Sequence, residues 1–163
     1  MKYFSLILII FVASITFGNA QQIPSIQLKD LNGKIVDTST LRNDGKPFII
    51  SFFALWCKPC LRELEAIKDV YDDWQKETGV KLYAISIDDA QNSLRVAPEA
   101  RAKGWEYDVL LDPNSDFKRA LGVNLIPAVF VVDGNGKIVS SRTGYTNGAE
   151  ESLIEEVRKL LKQ

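Results

Sequence analysis

Three features of this sequence predict a mixed α/β fold, a central sheet flanked by helices. Apolar strand-like runs alternate with amphipathic helical ones between Phe48 and Leu121. The turn signal Asp133-Gly134-Asn135-Gly136 then joins two β-rich runs that can pair only antiparallel. Last, the segment Ala149 to Leu161 carries Leu153, Ile154, Val157, Leu160 and Leu161 along one side, a stripe suited to cover a sheet.

The elements follow in chain order. Residues 1–20 hold Lys2, the apolar run Phe4 to Val12, and Phe17-Gly18-Asn19-Ala20 with small side chains at the third-last and last positions, which is the pattern of a secretory leader cut after Ala20. Left uncut, the same stretch is a membrane anchor. However, Ser5, Ser14 and Thr16 interrupt it, and its about 15 apolar residues fall short of the roughly 20 that a spanning helix needs. The predicted organisation is a signal peptide at 1–20 and one domain at 21–163, soluble in the periplasm after cleavage. Removing the leader from 163 residues leaves 143, enough for one hydrophobic core.

Ile23 to Leu28 and Lys34 to Val36 flank the turn Asp30-Leu31-Asn32-Gly33 and read as an N-terminal hairpin. Phe48 to Ala54, after Pro47, is continuously apolar, as a strand buried on both faces requires. Leu61, Leu64, Ile67, Tyr71 and Trp74 then recur at three- and four-residue steps, a helix from Pro59 that ends near Gly79. Val80 to Ile87 is a second buried strand, Ser93 to Lys103 a helix, Tyr107 to Leu111 a third strand and Ser115 to Leu121 a short helix. Ala128 to Val132 and Lys137 to Ser141 are the antiparallel pair around the Asp-Gly-Asn-Gly turn.

Composition excludes several kinds of chemistry. The chain is 46% hydrophobic and 25% charged, ordinary for a globular protein. Its net charge is −1, and loss of Lys2 with the leader shifts it by one unit to −2, so no field recruits nucleic acid or anionic lipid. Histidine is absent, which removes Ser-His and Cys-His hydrolases. The two cysteines alone cannot complete a structural zinc shell, so no metal site is expected.

Those two cysteines lie in Trp56-Cys57-Lys58-Pro59-Cys60, where a buried strand gives way to a helix. At this spacing they face one side of the first helical turn, close enough for their sulfurs to bond reversibly. Cys57 occupies the N-terminal cap region, where free N–H groups and the helix dipole favour a thiolate, and Lys58 adds a nearby cation. It is the expected nucleophile. Cys60, a turn further in and shielded, suits the resolving role. Pro59 fits the first turn because its missing N–H costs no intrahelical bond. Trp56 reads either as core or as a flat surface for a docking polypeptide. Glu63 shares the cysteines' face and reads either as a solvated first-turn acid or as a proton acceptor for Cys60.

The motif at the head of a helix after an apolar strand, with Ile126-Pro127 opening the hairpin strand, resembles the thioredoxin fold. Within it the chain is similar to the exported TlpA/ResA-like disulfide reductases, over about residues 23–162. The leader, the N-terminal hairpin and the insertion around Asp88 to Trp105 agree with that subgroup. The resemblance implies a cis Pro127, backbone hydrogen bonds from Ile126 to substrate, and a proton-handling role for Glu63. It further implies disulfide-bonded or dithiol exported proteins as partners, cytochrome c maturation components among them, with a membrane electron donor. No cofactor is implied beyond the redox-active Cys57–Cys60 disulfide. Lys58-Pro59 differs from the Gly-Pro of general thioredoxins and the Pro-His of strong oxidants, so these two residues tune the site. Glu65 stands where relatives often carry a helix-kinking proline.

Two other functions remain open. A thiol peroxidase of the peroxiredoxin-like class shares the fold and the insertion, but usually needs a hydroxyl and an arginine beside its thiol, where this chain has Leu55 and Lys58. A non-enzymatic binding module would hold an inert Cys57–Cys60 bond. A disulfide closing so small a loop removes little chain entropy, which makes it a poor structural staple.

Overall fold

The computed structural model of the chain describes residues 21–162. The leader assigned to 1–20 lies outside the described residues. Strands β1 (Gln27–Asp30) and β2 (Ile35–Asp37) precede β3 (Phe48–Phe53), α1 (Lys58–Thr78) and β4 (Lys81–Ser86). Next come α2 (Val96–Lys103), β5 (Asp108–Leu111), α3 (Asp116–Ala120), β6 (Ala128–Val132), β7 (Ile138–Thr143) and α4 (Ala149–Leu160). One seven-stranded sheet has the order β2-β1-β5-β4-β3-β6-β7, as a mixed α/β reading requires. β3 pairs parallel with β4, and β4 with β5, whereas β6 and β7 run antiparallel on one side and β1 and β2 on the other.

Every residue of β3 is buried, which explains its unbroken apolar run. Because successive side chains alternate, Phe48, Ile50 and Phe52 join one core cluster with Phe117 and Phe130. Ile49 and Phe53 join the other, under α1 and α4, with Leu64, Ile67, Leu153 and Ile154. α1 ends where Gly79 adopts a left-handed conformation at φ 68° and its N–H returns to the Gln75 carbonyl at 2.9 Å.

Differences from the sequence reading have local causes. The N-terminal strand starts at Gln27 rather than Ile23: Pro24 lacks an N–H, and Ile26 instead donates its N–H to Thr38 Oγ1 at 2.9 Å. The segment read as one helix from Ser93 is a 3₁₀ turn over Asn92–Arg95 followed by α2. Pro98, which cannot serve as an interior donor, falls in the first turn of α2 and so fixes where the α-helix begins. Leu161, assigned to the covering stripe, lies past the end of α4 and is largely exposed. The Asp133–Gly136 turn forms as expected: Asp133 Oδ1 accepts the N–H groups of Asn135 and Lys137, both at 2.9 Å.

Candidate active site

The site is built where β3 ends. Ala54 to Cys57 form a turn in which the Cys57 N–H reaches the Ala54 carbonyl at 3.0 Å. Cys57 caps α1 with extended backbone, and its Sγ accepts the Cys60 N–H at 3.3 Å, so the sulfur takes the place a serine or aspartate oxygen fills in an ordinary N-cap. Pro59 lies in the first turn, where it displaces no intrahelical bond. Cys57 and Cys60 are joined, S–S 2.02 Å. The pair is asymmetric: Cys60 has no exposed surface and Cys57 retains 6%. In this oxidised form Cys57 is therefore less open than the expected accessible nucleophile. Lys58 beside it is exposed.

Of the two readings of Trp56, the structure favours the surface one, since 67% of it is exposed. The Ile126–Pro127 peptide bond is cis. The Phe52–Ala128 pair of β3 and β6 places Pro127 level with Phe53, at the sheet end from which the cysteine loop departs. The Pro127 carbonyl accepts the Gly144 N–H at 2.8 Å, whereas the Ile126 backbone N–H and C=O have no partner among the described residues. Leu125, just before them, is 70% exposed.

Glu63 is not a solvated surface acid. It is only 4% exposed and lies three residues beyond Cys60, on the face of α1 that meets the sheet. Its Oε2 accepts the Ser51 hydroxyl at 2.9 Å. Burial pushes its carboxyl up to about 7; the Ser51 hydrogen bond and the Arg142 charge oppose that shift, and Glu150 adds to it. An acid with this value near neutral pH can both take and return a proton.

Sequence reasoning overlooked three residues around this site. Ser51 is the lone polar residue in the β3 run, a signal that was visible but had no partner to point to. Asp88, buried just after β4, accepts the Leu55 N–H at 2.9 Å and the Ser86 hydroxyl at 2.8 Å, tying the cysteine loop to the neighbouring strand. Arg142 on β7 lies 79 positions from Glu63, and the sheet pairing puts it on the same face, where its charge acts on that carboxyl. Glu65, in the relatives' proline position, accepts Trp105 Nε1–H at 3.3 Å and meets Lys103 Nζ at 3.2 Å, which ties the insertion to α1.

A Cys57–Cys60 disulfide heading the helix after a central strand, in this sheet order, defines a thioredoxin-like thiol-disulfide oxidoreductase. The chain belongs to the AhpC/TSA family, whose sequence model matches residues 20–141. It is 31% identical over 121 residues to the thiol-disulfide oxidoreductase ResA of Geobacillus thermodenitrificans, covering 74% of this chain and 67% of that protein. ResA of Bacillus subtilis is 27% identical over 153 residues, 94% of this chain and 81% of that one. The solution structure of a thioredoxin-like protein from Porphyromonas gingivalis is 63% identical and superposes with a TM-score of 0.77 over 86% of this chain and 92% of that chain.

Proposed function

We propose that this oxidoreductase is a periplasmic disulfide reductase that acts on exported proteins through a mixed disulfide. The observation that carries this reading is the asymmetry of the pair, with Cys57 at the helix cap keeping a small 6% of its surface, and Cys60 fully enclosed one turn above buried Glu63. In the reduced protein the Cys57 thiolate attacks one sulfur of a substrate disulfide, and the other substrate sulfur leaves as a thiolate. Cys60 gives its proton to the Glu63 carboxylate, and its own thiolate attacks Cys57 Sγ. The Cys57–substrate bond breaks, the second substrate sulfur leaves as a thiolate, both substrate thiolates take protons from water, and the protein holds the disulfide seen here. Two electrons pass from protein to substrate. A membrane electron donor then returns the pair to the dithiol.

Substrate docks on the surface offered by Trp56 and by the unpaired Ile126 backbone beside Pro127, while Lys58 and Pro59 tune the thiolate. The leader at 1–20 supports export. Among the described residues no helix is long and apolar enough to cross a membrane. Replacing Cys60 by Ser removes the resolving sulfur, so partners are expected to accumulate on Cys57 as disulfide adducts recoverable from the periplasm. An absence of adducts under conditions where the unaltered protein is active would sink the two-step exchange. Peroxide consumption measured on the same preparation separates this reading from a thiol peroxidase.

A further inference from the structure

Arg142 is half-buried on β7, pointing to the same face of the sheet as Ser51: Ser51 pairs with Val129 across β3 and β6, and Val129 with Arg142 across β6 and β7. Directly opposed residues in antiparallel strands share a face, so the row Ser51–Val129–Arg142 lies beneath α1 and α4. The guanidinium Nη1 donates to the Ala149 carbonyl at 3.0 Å and to Ser152 Oγ at 2.7 Å, which fixes the group under the first turn of α4. Its Nη2 is buried and has no hydrogen-bond partner among the described residues. A buried charged donor left unpaired is costly, and native structures keep few of them.

Glu63 carries the matching deficit. A carboxylate offers about four acceptor sites. Among the described residues only the Ser51 hydroxyl donates to the side chain. The other groups facing it do not meet that need: Tyr107 on the β5 side, Tyr145 in the β7–α4 loop, Glu150 on α4, and Cys60 on α1 itself. Tyr145 already donates its hydroxyl to Glu150 Oε2 at 3.1 Å. Arg142 is the cation whose charge reaches Glu63 from the sheet side.

We propose that Arg142 is a positioning residue for Glu63, whose free Nη2 is the donor and counter-charge that the carboxylate meets when it is ionised. This rests on the proton-handling role given to Glu63 above. Before resolution the ionised Glu63 is held toward Arg142. On taking the Cys60 proton it becomes neutral and releases that partner, and when the disulfide is reduced again the proton passes back to the Cys60 sulfur. No electron moves through either residue.

The test is a titration of the Glu63 carboxyl by ¹³C NMR in the oxidised, glutamate-labelled protein. Arg142→Met is expected to raise the midpoint by about one pH unit, the size of effect a nearby opposite charge has on a carboxylate, and Arg142→Lys to restore most of it. The acid limb of the disulfide-reduction rate should move in the same direction. In the unaltered protein the Arg142 Nη resonances should shift with the Glu63 midpoint, and Glu63→Gln should abolish that shift, a readout that does not depend on the Met variant folding. A Glu63 midpoint unmoved in Arg142→Met, or Arg142 resonances that ignore Glu63 ionisation, overturns the proposal. A reduction rate that is indifferent to Glu63→Gln instead overturns the proton-handling role, while the titration still reports on the pairing.

Discussion

On one face of the sheet Phe52 packs against Phe117 and Phe130 with ring centroids 5.4 and 6.0 Å away, among Phe48, Ile50, Ile85 and Leu110. On the other face the same strand offers Ser51 between Ile49 and Phe53; α1 brings Cys60 and Glu63 over it, and β7 sets Arg142 on the same face under the start of α4. The aromatic face holds hydrocarbon against hydrocarbon, which favours folding at any pH. The other face encloses a carboxyl and a guanidinium whose burial works against stability unless their partners meet them. One strand therefore anchors the fold with its even-numbered side chains and supports the proposed chemistry with its odd-numbered ones.

The largest expected effect lies on the chemical face. Cys57→Ser is predicted to lower disulfide reduction by on the order of a thousand-fold or more, because removing the nucleophile of a unit that acts together abolishes nearly all its contribution. Insulin reduction followed by turbidity checks this. Activity that survives the change would move the nucleophile elsewhere.

Phe52→Ala tests the aromatic face and is expected to cost about 3–5 kcal/mol, the range for truncating a fully buried phenylalanine. Urea unfolding at fixed redox state measures it. The folded fraction should still exchange disulfides, since Phe52 faces away from Glu63 and Cys60. A loss of catalysis greater than the loss of folded protein would show that the two faces are not separable.

Glu63→Gln sharpens the comparison because its sign depends on pH. With the folded carboxyl at about 7 against an ordinary value of 4.5, the folded state holds the proton more tightly than the unfolded state. The contribution of Glu63 to stability is therefore fully present below about pH 4.5, falls by about 3 kcal/mol as pH rises toward 7, and is flat above that. The glutamine variant lacks this slope, so it should match the parent at low pH and exceed it by up to that amount at pH 8. On the proposed mechanism it should also slow the Cys60 step by about a hundred-fold. Stability and turnover thus move in opposite directions at this one residue.

The fold was legible because its signals are local. The all-apolar β3, the stripe of α1, the Asp-Gly-Asn-Gly turn and the stripe of α4 each declare themselves within one window of sequence. Cys57, Cys60 and Pro59 were legible for the same reason, as one motif at one helix end. Burial of Glu63 was not, because an acid near the start of a helix fits a solvated position equally well, and only the Ser51 hydroxyl beneath it and α4 above it decide the matter. Asp88 and Arg142 were invisible because Leu55, which Asp88 holds, and the Glu63 face, which Arg142 shares, are distant in sequence and come near only once β4 and β7 have taken their places in the sheet. Ionisable groups brought together by topology leave no periodic trace.

The smallest expected effect separates the enclosed chemistry from the surface that feeds it. Trp56 is two-thirds exposed, so Trp56→Ala removes little packing and should change stability by no more than about 0.5 kcal/mol. Its flat ring stands immediately before Cys57, where a polypeptide carrying a disulfide has to approach, whereas a small aromatic disulfide reaches the sulfur without it. The variant is therefore expected to raise KM several-fold for a protein disulfide and to leave the rate with a small disulfide nearly unchanged; steady-state kinetics on both substrates provide the check. Equal losses on the two would place Trp56 among the groups that shape the Cys57 thiolate, and the boundary between docking surface and chemical face would then run on the far side of the tryptophan.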